Sequence, residues 1–197
     1  LETLGSFIIA ALALTGSPGP NTLSLAAVGA AFGRSRGLRY MIGLNLGMVL
    51  VITIVGSGVS GFLFAVPGAA PVITVIAGLY FAYLACRIAT APPVKETAEP
   101  GTEPKWFEGV FLSLVNPKAY AAMGALFSGF VLIDGDPVVD SLTKAAVLLM
   151  TIVFVNACWL FTGAVLTNIM KHQRLSRLVN VLFAVSLIVS VVVAVLI

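Results

Sequence analysis

The stretch TLGSFIIAALALTGSPGPNTLSLAAVGAAFG, residues 3–33, decides the fold. It carries no Asp, Glu, Lys or Arg, and it is longer than the ~20 apolar residues that a straight bilayer crossing needs. At its centre stands Ser17-Pro18-Gly19-Pro20-Asn21. Each proline removes a backbone donor and its ring clashes with the preceding turn, so a helix is expected to break there. The surplus length leaves room for an unwound stretch between two half-helices. Ser17 and Asn21 are expected to cap the second half, whose free N–H groups and positive dipole end then point into the membrane.

The rest of the chain repeats this apolar pattern. It has 197 residues, 59% hydrophobic and 10% charged, with a mean hydropathy of +1.09. Soluble domains are about 25% charged, so a water-soluble core is excluded. Residues 40–86, 145–170 and 178–197 carry no charge, and 109–133 carries only Lys118. The run 40–86 is too long for one crossing, and Pro67-Gly68 with Pro71 marks a turn near its middle. An all-α membrane protein of six transmembrane helices follows, with helices expected near 4–30, 38–64, 69–90, 108–132, 142–168 and 176–197. The N-terminus lacks a basic n-region and a small-residue cleavage site, so its first apolar run is expected to stay as a helix. Cys86 and Cys158 lie singly in apolar runs with no partner at metal-ligand spacing, which predicts neither a disulfide nor a metal site, and nothing calls for a cofactor. The net charge of +3 sits beside helix ends, which fits lipid headgroups and not nucleic acid.

Basic residues set the expected topology. Arg34, Arg36 and Arg39 follow the first helix, Arg87, Lys95 and Lys105 the third, and Lys171, Arg174 and Arg177 the fifth. The alternate connections are nearly bare of them, and the loop after the fourth helix bears Asp134, Asp136 and Asp140 against Lys144. Basic loops are therefore expected in the cytoplasm and both termini outside. The Pro-, Glu- and Lys-bearing stretch 91–107 reads as a cytoplasmic linker within a single membrane domain. It separates two three-helix sets, about 1–90 and 108–197. Three being odd, the second set enters from the opposite side, so a duplication would be an inverted repeat.

At the matching point of the second set stands Asn116-Pro117-Lys118. Asn is a favoured N-cap and Pro a favoured first helical residue, so the fourth helix is also expected to break. Unpaired backbone at membrane depth is tolerated only when buried in protein or lining a wet cavity, and two such breaks point to a shared cavity that attracts a carboxylate. The plainer alternative is a pair of proline kinks repaired by neighbours. The candidate substrate-binding residues are thus Ser17, Pro18, Gly19, Pro20, Asn21, Asn116, Pro117 and Lys118. Lys118 lies roughly 16 Å of helical rise from either end of its window, far for snorkelling, and a central charge costs about 2.5–3.5 kcal/mol even on lenient scales. A cavity-facing lysine could pair with a substrate carboxylate or exchange a proton during the cycle. Asn45, Tyr80, Tyr83 and Asn156 are secondary candidates, with interhelical bonding and interfacial aromatic positions as equal alternatives. Gly43 and Gly47 have GxxxG spacing, read as close helix packing within the chain or in a homodimer. His172 reads as a solvated loop residue.

Pro18-Gly19-Pro20-Asn21, Trp106-Phe107-Glu108-Gly109-Val110-Phe111 leading into Asn116-Pro117-Lys118-Ala119, Gly37, Gly43 and Gly47, and Tyr80 to Leu84 together resemble the LysE/RhtB family of lysine and threonine/homoserine exporters. The resemblance covers nearly the whole chain. It implies a secondary transporter of the bacterial inner membrane that exports amino acids or related small metabolites, driven by the proton gradient, with no enzymatic reaction. Asn180 departs from it, standing where a small glycine is expected. Three rivals can be named, of which the first fails because neither Cys86 nor Cys158 lies at a proline motif and the other two stay open. A thiol-disulfide reductant would need cysteines at the proline motifs; a metal-ion exporter would need oxygen ligands, usually carboxylates; a non-transporting scaffold would need only a packed interior. The substrate and the mode of coupling stay open as well.

Overall fold

The computed structural model describes residues 2–58, 72, 75, 78–79, 82–86, 89–90, 104–165 and 173–196, and every regular element among them is helical. The elements are α1 (Glu2–Gly16), α2 (Pro20–Gly56), α3 (Trp106–Leu114), α4 (Pro117–Gly129), α5 (Pro137–Val165) and α6 (Gln173–Leu196). α2 and α5 are each long and apolar enough to cross a membrane, and α3 with α4, bent by 60° at their junction, make a further crossing if taken as one broken span. Half of the third helix expected at 69–90 lies outside the described residues, as do His172, Tyr80 and the linker up to Glu103.

The first run breaks where its prolines stand, between Gly16 and Pro20. The expected first and second helices meet directly at Gly33, whose φ of 75° and ψ of 171° are not helical, so α2 comprises two helical arms set across a kink there. That positive φ is a conformation glycine adopts freely. α2 also stops well before 64: Gly58, at φ 74°, donates its N–H to the Val55 carbonyl, and Ser57 donates to Thr53. These bonds satisfy the last turn as a left-handed C-terminal cap does. α5 begins at Pro137, not near 142. Asp136 accepts from the N–H groups of Val138 (2.9 Å) and Val139 (3.1 Å), and proline suits the first helical position.

Large apolar side chains such as Ile42, Leu46 and Leu50 of α2 and Met150, Phe154 and Phe161 of α5 point outward. An apolar exterior is what lipid would cover. Inside, where lipid tails are as apolar as leucine, small residues bring the helices together. A Cβ on Gly43 would collide with the Trp106 carbonyl oxygen, one on Gly47 would lie 2.7 Å from the Val110 carbonyl, and one on Gly109 would lie 2.7 Å from the Tyr40 carbonyl. The Gly43/Gly47 pair therefore packs α2 on α3 within one chain, which leaves a homodimer without that motif. Gly163 of α5 meets Ala26 of α2 in the same backbone-to-backbone way.

Two buried clusters result. One gathers Leu23, Leu25, Tyr40, Leu44, Leu112 and Leu160; the other gathers Phe7, Met48, Met123, Leu126, Leu148 and Ile152. Phe7 precedes the first break and Leu23 follows it, while Leu112 precedes the second and Met123 follows it. The clusters therefore lie on opposite sides of the level at which both helices break.

Lys144, which with Lys118 falls outside the expected pattern of basic loops, is buried and paired with Asp140 at 2.7 Å. Asp140 also accepts from the N–H groups of Leu132 and Ile133, and Lys144 donates to the Phe127 carbonyl near the end of α4. The pair ties the 130–136 loop to α5. Asp140→Ala should lower stability by about 1–3 kcal/mol, because it strands Lys144 and two backbone donors. Adding Lys144→Met should restore part of the loss. Thermal unfolding in detergent reads both, and an Asp140→Ala protein as stable as the parent would contradict the account.

Candidate functional site

The break after α1 leaves a row of carbonyls without helical donors, and such groups need partners away from water. They find them across the protein. Trp159 of α5 donates its indole N–H to the Gly16 carbonyl (3.1 Å). Lys118 donates its Nζ to the Ser17 carbonyl (2.7 Å), to Ser17 Oγ (2.7 Å) and to the Pro18 carbonyl (3.1 Å). The Ser17 hydroxyl itself donates back to Leu14. Lys118 thus reaches across the molecule and does not snorkel to a surface. An ammonium at the C-terminal end of α1 is also favoured by the helix dipole.

The two restarted helices cap differently. Asn116 accepts from the Lys118 backbone N–H at 3.1 Å, the N-cap expected of it. Ser17 and Asn21, by contrast, do not cap α2. The N-cap is Gly19, and its N–H bonds to Thr22 Oγ1 at 2.9 Å. Ser17 is engaged by Lys118, and Asn21 turns toward the other break. There the Asn116 amide donates to Asn21 Oδ1 (3.0 Å), the Asn21 amide to Ser113 Oγ (3.0 Å), and the Ser113 hydroxyl to the Leu44 carbonyl (3.0 Å). One chain of hydrogen bonds therefore joins α4, both arms of α2, and α3.

Beside this knot lies a cavity of about 50 Å³. Its polar wall is Thr15, Asn21, Thr22, Asn116, Lys118 and Asn156; Met48, Met123, Ile152 and Val155 supply much of the apolar remainder. The starts of both α2 and α4 face it, and among the described residues Lys118 is the one formal charge in its lining. The volume holds a few waters and falls short of the ~300–1,000 Å³ of ordinary small-molecule pockets, so a solute must move side chains to enter.

A LysE type translocator model matches residues 12–197 of the sequence, a range that takes in both breaks and the cavity. The chain belongs to the LysE type translocator family. Its relatives include a cysteine/O-acetylserine efflux protein of Salmonella typhimurium strain LT2, 26% identical over 173 residues, and one of Escherichia coli O6:K15:H31, 26% identical over 174 residues. Each alignment covers 87% of both chains. No solved structure matches.

The translocator's other candidate residues fall in different places. Gly19, Asn21, Asn116, Lys118 and Asn156 line the cavity; Ser17 and Pro18 reach it only through Lys118. Pro20 and Pro117 start the two half-helices. Asn156 donates to Asn45 Oδ1 at 2.7 Å, an interhelical bond of the kind worth about 0.6 kcal/mol. Tyr83 is half-exposed and lies away from the cavity. Among the described residues no three His, Cys, Asp or Glu side chains converge. Sequence reasoning missed Thr15, Thr22, Ser113 and Trp159. Thr22 carried a local signal, being three residues after the N-cap position. The roles of Ser113 and Trp159 depend on partners 92 and 143 residues away and left no local trace.

Proposed function

We propose that this translocator exports small amino acids with uncharged side chains, or close derivatives, from the bacterial cytoplasm across the inner membrane, using the proton gradient. One observation carries the reading: two broken helices meet at a single amphipathic cavity, bonded to each other through Asn21 and Asn116. Two half-helix starts and one lysine make an environment for a carboxylate. Among the described residues the cavity lining contains no Asp or Glu, so a second ammonium on a side chain would lack a counter-charge, while Met48, Met123 and Ile152 suit an apolar or weakly polar one. The names of the relatives, which specify cysteine and O-acetylserine efflux, agree with that class.

The architecture we assign is six crossings in two inverted three-helix sets, with both termini outside. Support comes from the pairing of the breaks. Each broken helix packs on the helix that follows the other break in the opposite set: α3 on the later part of α2, and the first part of α2 on α5. An inverted repeat generates this reciprocal arrangement.

Cells expressing the protein, preloaded with labelled amino acids, should release small neutral ones at least about tenfold faster than lysine or glutamate, a preference worth ~1.4 kcal/mol. An uncoupler should abolish the difference. Release of lysine as the fastest substrate, or of no amino acid at all from correctly inserted protein, would refute the reading.

A further inference from the structure

The cluster that holds Lys118 has the geometry of a binding site for a primary ammonium. Three oxygens converge on one Nζ: the Ser17 carbonyl, Ser17 Oγ and the Pro18 carbonyl, at 2.7, 2.7 and 3.1 Å. A primary ammonium has three N–H donors, so the match is complete in number. Gly19 keeps the approach open. Its backbone is extended, at φ −171° and ψ 179°, a conformation open to any residue, so no backbone requirement calls for glycine. A Cβ there would instead lie 2.7 Å from Lys118 Cδ and 2.9 Å from its Nζ. Glycine at 19 therefore serves the passage of an amine-bearing chain.

Lys118 and Gly19 both line the cavity, whereas Ser17 and Pro18 do not, so the lysine side chain stands between the cavity and the oxygens it bonds. The cavity is also too small for an amino acid while the lysine lies along its wall. We propose that the Ser17 and Pro18 oxygens are the subsite for the substrate's α-ammonium group, and that Lys118 is a resident occupant which the substrate displaces. The inference rests on the amino-acid export reading and deepens it.

The exchange balances charge. One ammonium leaves the carbonyls as another arrives, and the displaced Lys118 is free to pair with the substrate's carboxylate beside the start of α4. At both stages the ammonium on the Ser17 and Pro18 oxygens keeps its hydrogen bonds, and the displaced lysine gains the carboxylate, so no buried charge is left without polar partners. A solute with an amine and no carboxylate would expel the lysine without offering it a partner and should bind poorly. The site thereby selects for amino acids over simple amines.

The test uses the purified full chain in detergent, with propylammonium as the probe and thermal stabilisation as the readout. Propylammonium should stabilise Lys118→Met at concentrations at least about tenfold below those the parent needs. Lys118→Gln, whose neutral amide is a weaker occupant and which keeps a donor near the carbonyls, should fall between them. It also serves as the test should the methionine variant fail to fold. A small neutral amino acid should displace the amine competitively from either variant, and tetramethylammonium, lacking N–H donors, should not stabilise them. Equal amine affinity in parent and variants, or simultaneous binding of amine and amino acid, would overturn the proposal. Failure of the parent to move any amino acid would instead remove the export reading itself.

Discussion

Lys118→Met is expected to reduce amino-acid efflux by on the order of 100-fold, the equivalent of ~3 kcal/mol, while the protein still inserts and elutes as a monodisperse species. The substitution preserves the length and apolar stem of the side chain and removes only its charge and donors. Two effects follow. The Ser17 and Pro18 carbonyls lose their ammonium donor in a region with little water to replace it, each at a cost of about 1–3 kcal/mol. The cavity also loses the formal charge in its lining, and with it the counter-ion for a carboxylate. The first effect loosens the end of α1 and should appear as a lower melting temperature; the second should appear as lost transport. Efflux assays beside thermal unfolding separate them. A well-folded methionine variant with full transport would remove Lys118 from the mechanism.

Gly43→Ala is expected to be the most destabilising single-methyl substitution among the packed glycines, costing about 3 kcal/mol or more, at the upper end of overpacking effects. In an exposed helix the same change would be favourable by about 1 kcal/mol. Here the new Cβ meets the Trp106 carbonyl, which belongs to main chain and has no rotamer by which to yield, so α2 and α3 must separate. Gly124→Ala on α4 is the control, because its new Cβ would meet no neighbouring atom within 4 Å. Equal melting temperatures for the two variants would mean that the α2–α3 crossing tolerates separation.

Much of the site was legible from local chemistry. A proline cluster inside an uncharged run breaks a helix wherever the run is placed, and Asn116 before Pro117 is an N-cap and first-turn pair with no tertiary help needed. Lys118 stood out because its charge lay too far from either end of its window to reach water. Assignments that required choosing among several polar neighbours were less secure. Ser17 and Asn21 both had the chemistry of a cap, yet the N-cap is Gly19, bonded to Thr22, while Lys118 engages Ser17 and Asn116 engages Asn21. The start of α5 was misplaced because Asp140 and Lys144 look like solvated loop charges until their mutual pairing within the helix is seen.

By itself the sequence determined that this chain is helical, lies in a membrane and breaks two of its helices at proline motifs, since hydropathy, charge spacing and the missing proline N–H act on each segment independently of its neighbours. The tertiary structure alone decided which groups fill those breaks: Lys118 on the Ser17 and Pro18 oxygens, Trp159 on Gly16, Asn116 on Asn21, and Gly43 against Trp106. Those partners stand 63 to 143 residues apart, and an orphaned carbonyl specifies only that some donor must come, not which distant residue the packing will bring.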